Sequence, residues 1–140
     1  MSAQPDDITE LWLLARRTTA ALERRGEAEL QSRLGLSLSL FALLSTLEAH
    51  GCDLNQQEAA DLLGLTKGSV SRQVEAAMAA DLLEPGTSGS RREKVQQLTA
   101  QGRSVLREAY GILGAIAPQS AASRASATVA LTEVLSALDA

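Results

Sequence analysis

A chain of 140 residues, 45% apolar and with a formal net charge of −4, has the length of one domain or of a small module with helical extensions, and is too apolar for a disordered tail. Aromatics are only 2% (Trp12, Phe41 and Tyr110), so the core must be Leu, Ala and Val, a composition that favours helix packing. The acidic balance offers polyanions no general attraction, but it is uneven: residues 8–65 carry a net −3 and residues 66–107 a net +3, which leaves a local basic patch in the middle of the chain.

In chain order, Ile8, Leu11, Trp12, Ala15, Thr19 and Leu22 recur at helical spacing, predicting a first helix over about Asp6 to Arg25. Leu13 and Leu14 widen its apolar stripe beyond what one packing partner needs. Gly26 and Gly35 bracket an expected looser join. A second helix is expected from about Ser37, with Leu40, Phe41, Leu43, Leu44 and Leu47, ending at His50-Gly51. In "NQQEAADLLG", Asn55 and Glu58 have capping-box spacing, Ala59, Leu62 and Leu63 form the expected buried side, and Gly64 supplies a stop. Thr66 caps the next helix, which runs to about Ala80 with Val70, Val74, Ala77 and Met78 as its inner face. Two short helices joined by a turn containing Gly make the helix-turn-helix pattern.

Beyond that point the period changes. Pro85, Gly86 and Gly89 lie between two short candidate strands, near Leu82–Glu84 and Lys94–Leu98, which predicts a hairpin with a long basic tip. From Thr99 the helical period returns through Val105, Leu106, Ala109, Ile112, Leu113 and Ile116 to a stop at Pro118, and a final helix spans Ser120 to Leu138.

The helix after Thr66 has an unusual outer face. At about 100° per residue Arg72 lies opposite the Val70–Val74–Ala77 face, flanked by Gly68, Ser69 and Ala76, where a merely solvated face more commonly carries Glu and Lys. A glycine in a helix costs about 1 kcal/mol relative to alanine, a penalty that fits a backbone approaching another surface closely. Such a helix can sink into a DNA groove. Ser69 and Ser71 can bond phosphates or base edges, Arg72 can fork onto guanine, Gln73 can reach adenine, and the helix start at Thr66 and Lys67 presents N–H groups to phosphate. Arg91 and Arg92 at the hairpin tip, with Lys94 behind them, extend far enough to enter an adjacent minor groove. Helix-turn-helix followed at once by a basic hairpin is a winged helix.

Residues 55–107, "NQQEAADLLGLTKGSVSRQVEAAMAADLLEPGTSGSRREKVQQLTAQGRSVLR", resemble the winged-helix core of MarR-type bacterial transcription regulators, including the "LTAQG" passage from Leu98 to Gly102. The resemblance implies an α+β, mostly helical fold with a winged helix-turn-helix between N- and C-terminal dimerisation helices. It divides the chain into a dimerisation helix and linker (1–35), a DNA-binding module (36–99) and C-terminal dimerisation helices (100–140). It also implies a homodimer on a pseudo-palindromic operator, often repressing and often released by a small aromatic or phenolic ligand. By position, Thr66 to Gln73 would start the recognition helix and Arg92 would be the wing arginine. Two positions depart from the family pattern: Ser90 stands where an Asp usually braces the wing arginine, and Glu84 where a basic residue often closes the unit.

Excess apolar surface on the first and last helices independently favours a dimer, with Ile8, Leu11, Trp12, Ile112, Ile116, Val129 and Leu135 as the expected contacts. Trp12, Phe41 and Tyr110 are candidates to line a ligand cleft, against core packing as the plainer role. No Ser/His/Asp set, glycine-rich phosphate loop or suggestive carboxylate pair points to catalysis, and no cofactor is expected. His50 and Cys52 are single, so one chain cannot assemble a His/Cys metal cluster. The lone cysteine, the acidic N-terminus and the lack of a spanning apolar run lead to the expectation of a cytoplasmic protein without a membrane segment. Two other readings remain: a winged helix that uses its small-residue face to hold a protein partner, and a regulator responding to oxidation of Cys52.

Overall fold

The computed structural model describes residues 4–51, 53–86 and 96–139. Among these residues six helices and one hairpin follow in order: α1 (Pro5–Leu34), α2 (Leu38–Ala49), α3 (Gln56–Leu63), α4 (Lys67–Ala79), β1 (Leu83–Pro85), β2 (Gln96–Leu98), α5 (Ala100–Ile116) and α6 (Ala121–Leu138). The expected α+β, mostly helical architecture is present, with the helix-turn-helix formed by α3 and α4 and the wing by an antiparallel β1–β2 pair.

The helix starts follow from hydroxyl and amide side chains. Ser37, Asn55, Thr66, Thr99 and Ser120 each accept a hydrogen bond from the backbone N–H three residues on, and Asn55 with Glu58 completes a reciprocal capping box. Caps of this kind are worth about 1 kcal/mol each. Gly64 then closes α3 with a left-handed φ of 68°, a conformation that sets the turn into α4.

Leu30, Leu43, Leu44, Leu47, Val70 and Leu106 are the largest fully buried side chains. The core therefore draws on the end of α1, the inner face of α2, and one stripe each of α4 and α5. Ala59, Ala60 and Ala77 let α3 and α4 approach it closely.

The structure corrects four expectations. The first helix does not end at Arg25: α1 continues through residues 26–34, and the expected join is helix. Gly26 is buried within it, where a Cβ would stand 3.4 Å from the side chains of both Leu38 and Leu113. Leu62 and Met78 are not inner-face residues but are 56% and 36% exposed. α3 buries Ala59, as expected, together with Ala60, while Leu63 packs half-buried against the core, and α4 buries Val70, Val74 and Ala77 as expected. The first strand begins one residue later than expected, with pairs Leu83↔Leu98, Glu84↔Gln97 and Pro85↔Gln96. Leu82 belongs to the preceding turn, where Asp81 takes a left-handed φ of 60°. Of the second strand, Gln96–Leu98 is seen, and Lys94 lies outside the described residues.

The junction of α4, β1 and α5 is tight. The Leu82 carbonyl accepts from Thr99 N–H at 3.1 Å, and the Thr99 hydroxyl donates to the Asp81 carbonyl. Gly102, in the first turn of α5, lies against the Leu82 backbone, and a Cβ there would collide with the Leu82 carbonyl oxygen. This close approach is the physical content of the glycine in "LTAQG".

At the opposite extreme, residues 6–20 of α1 and every described residue of α6 are exposed. Ile8, Leu11, Trp12, Val129 and Leu135 stand in solvent in the single chain, while Ile112 and Ile116 are half-buried.

Candidate nucleic-acid interface

α4 begins at the Thr66 cap. Thr66 Oγ1 accepts from the Ser69 N–H at 3.1 Å and donates to Ser69 Oγ at 3.1 Å, and Ser69 Oγ in turn accepts from Arg72 Nη2 at 3.3 Å. This ladder lays the guanidinium back along the outer face of the first turn and across Gly68, whose missing Cβ would sit 3.8 Å from Arg72 Nη1. An alanine methyl would fit there in ordinary contact, so nothing among the described residues demands glycine at 68. Lys67, Gly68 and Arg72 are exposed and Ser69 is half-buried. With the unpaired N–H groups of the helix start, they form an outward surface suited to an anion.

Glu75 shares that surface. It lies about 60° from Arg72 on the helix circumference and is exposed, although sequence reasoning about bases and phosphates passed over it. Its wheel position was legible; its acidic character did not suggest a polyanion contact. A carboxylate on this face repels phosphate and can accept from cytosine N4.

Ser71 and Gln73 are placed differently from expectation. The Ser71 hydroxyl donates to Gln56 Oε1 on α3, and Gln73 Nε2 donates to Ser39 Oγ on α2 at 2.8 Å. The reason lies in the wheel: with the Val70–Val74–Ala77 stripe facing inward, Ser71 and Gln73 fall on its two flanks, about 95° to one side and about 65° to the other, and Arg72 faces away. The flanks reach the neighbouring helices. Ser39 and Gln56 were invisible as partners because no local pattern reports a contact across 34 or 15 residues of sequence.

α2 is held at its other side by α1. Glu27 Oε2 accepts from the Leu38 N–H at 2.7 Å, and Gln31 Nε2 donates to Glu27 Oε1 at 3.1 Å. These bonds, the Leu38 N–H first, hold the Glu27 carboxyl below its ordinary value of 4.5. Together with the Ser37 cap on Leu40 N–H, two of the otherwise unpaired donors of α2 are satisfied.

In the wing, Gln97 Nε2 donates to Glu84 Oε1 across the strands at 2.9 Å, so Glu84 is engaged in the sheet. Arg91, Arg92, Lys94, Ser90 and Cys52 lie outside the described residues.

Of the three aromatics, the structure brings two together. Phe41 and Tyr110 meet edge-to-face at 5.7 Å, and the Tyr110 hydroxyl bonds Ser45 Oγ at 3.0 Å. Trp12 is 59% exposed on α1 and takes no part in that pair, so the three do not form one cleft. Two open cavities of about 530 and 560 Å³ lie along α1 instead. Glu29, Arg33, Glu108 and Ile112 line one, and Leu14, Arg17, Arg24 and Arg25 the other, with Ile116 shared. No single helix among the described residues is long and apolar enough to cross a membrane.

The fold can be compared with solved structures. AbsC, a MarR family transcriptional regulator from Streptomyces coelicolor, superposes with a TM-score of 0.78 over 99% of this chain and 99% of its own, at 18% identity. The chain has the MarR-type winged-helix fold. Its similarity to RV1404 from Mycobacterium tuberculosis reaches 26% identity, with a TM-score of 0.70 over 96% of this chain and 95% of that one. MepR from Staphylococcus aureus, solved as a complex with DNA, shares the MarR-type fold at a TM-score of 0.73 and 21% identity, over 89% of this chain and 94% of its own. No protein-family model matches the chain, and no curated protein sequence does.

Proposed function

We propose that the chain is a sequence-specific, double-stranded-DNA-binding transcription regulator that works as a homodimer. The observation that carries this reading is the outward first turn of α4, with Lys67, Gly68, Ser69 and Arg72 on it, in a fold shared with a regulator solved on DNA. The bare backbone at Gly68 and the helix N-terminus let phosphate and base edges come close, and Arg72 supplies the fork for guanine. Thr66 acts through its cap. Arg91, Arg92 and Lys94 would add the wing contacts, phosphate or minor groove.

The exposed apolar residues of α1 and α6 support the dimer, because a lone chain leaves Ile8, Leu11, Trp12, Val129 and Leu135 in water. On this reading residues 1–35 and 100–140 build the dimer and residues 36–99 bind DNA. Two recognition helices about one helical turn apart (roughly 34–36 Å) would read a pseudo-palindrome. Repression, and release by a small aromatic ligand, are what the family resemblance implies.

The test is binding to duplex DNA across a salt series. The parent should lose affinity steeply, with a slope of about −0.9 per phosphate neutralised. Arg72→Ala should cost about 1–3 kcal/mol and relax preference at one base pair of each half-site. Salt-independent binding, or an Arg72→Ala protein with unaltered affinity for every sequence, would favour a surface for a protein partner instead.

A further inference from the structure

A glutamine on a recognition helix invites the reading of an adenine, which takes a bidentate contact from both amide atoms. The structure withholds both. Gln73 Nε2 donates to Ser39 Oγ at 2.8 Å, and Gln73 Oε1 is buried without a partner among the described residues. Ser39 is the second residue of α2, and the residue before it, Leu38, has its N–H held by Glu27 of α1 at 2.7 Å. Gly26, the neighbour of Glu27, brings α1 down onto the Leu38 side chain. Adjacent residues in one turn of α2 are thus gripped by α1 on one side and by the recognition helix on the other.

We propose that Gln73 is a positioning residue, which sets the orientation of α4 through Ser39 against a turn that Glu27 anchors, and that it does not read a base. The proposal rests on the DNA-binding reading and refines it: base discrimination by α4 falls to the outward residues Lys67, Ser69, Arg72 and Glu75. On the other flank, Ser71 bonded to Gln56 braces α4 against α3. The two flank contacts keep the helix from rolling about its buried stripe, so that Arg72 is presented at a fixed angle.

The experiment uses the full chain with Ser39→Ala, Gln73→Leu and the double variant, read in two ways. Urea unfolding should show coupling: each single variant lowers the folded-to-unfolded ratio by about fivefold, the net worth of one hydrogen bond, and the double lowers it little further. Affinity for DNA is then measured on fully folded protein. Ser39→Ala and Gln73→Leu should each weaken binding by roughly threefold to tenfold, as expected when a preorganised helix loses one bond's worth of restraint. The weakening should be alike on preferred and random duplexes, with the preferred sequence unchanged.

A Gln73→Leu protein that changes preference at one base pair while Ser39→Ala binds as the parent does would make Gln73 a reader and overturn the proposal. So would additive losses in unfolding. So would losses of stability with no change in DNA affinity. A parent that binds no duplex removes the positioning role together with the reading beneath it. An intact unfolding cycle in that case places the fault in the DNA-binding reading and not in the Gln73–Ser39 bond.

Discussion

Gly102→Ala should destabilise the fold even though it improves local helix propensity. The position is the third residue of α5, where the Thr99 side chain caps the Gly102 N–H at 2.9 Å. The added methyl would meet the carbonyl oxygen of Leu82, which is backbone and has no rotamer to yield. That carbonyl already accepts from Thr99 N–H at 3.1 Å, and Leu82 N–H donates to Ala77 at 2.8 Å, so a shift strains both the start of α5 and the end of α4. Overpacking a close contact costs about 1–3 kcal/mol. Weakening the Thr99–Leu82 bond adds about 1 kcal/mol. The gain in propensity from Gly to Ala returns up to about 1 kcal/mol, leaving a net loss of about 1–3 kcal/mol. Gly114→Ala, on the same helix but exposed and with open space around its Cβ position, should instead gain a few tenths to about 1 kcal/mol. Urea unfolding of the three proteins side by side gives the sign directly. A Gly102→Ala protein as stable as the parent would refute the argument that close backbone approach selects glycine there.

Two further outcomes are expected. Sedimentation should report about twice 14.7 kDa, and Leu135→Glu, which puts a charge on the exposed face of α6, should shift the protein toward monomer; a parent that runs as a monomer at micromolar concentration would sink the two-half-site scheme. Because the folded Glu27 carboxyl titrates below its ordinary value of 4.5, its contribution to stability is fully present above that value and is lost as pH falls through the depressed folded one. Glu27→Gln should therefore flatten the acid limb of the stability curve, and parallel curves for variant and parent would show that the charge on Glu27 does not stabilise the start of α2.

How much of this was legible in the sequence depends on the range of the interaction involved. Caps are local, so Asn55 and Thr66 marked their helices, and Gly64 marked its turn. The order of helix-turn-helix, hairpin and long helix followed from changes of period. The glycine at 26 looked like a break because local propensity is blind to Leu38 and Leu113 packing over it. For the same reason Gly102 marked a motif without an explanation, since its reason is the Leu82 carbonyl in the turn before β1. In the candidate interface, the wheel rightly put Arg72 outward, yet it could not show that Ser71 and Gln73, on the flanks, would find partners on α3 and α2. Periodicity reports which side faces inward and leaves open what stands beside it. Trp12 is the remaining case: its spacing marked an apolar stripe, and in the single chain that stripe stands exposed.

The central claim is that the outward face of α4 reads DNA as half of a symmetric dimer. The most direct measurement is selection of the purified protein on a pool of random duplexes at moderate salt, followed by sequencing. The account predicts an enriched two-fold-symmetric motif whose half-sites are about one helical turn apart, with a position that loses its preference in Arg72→Ala. A folded, dimeric protein that enriches no sequence would contradict it.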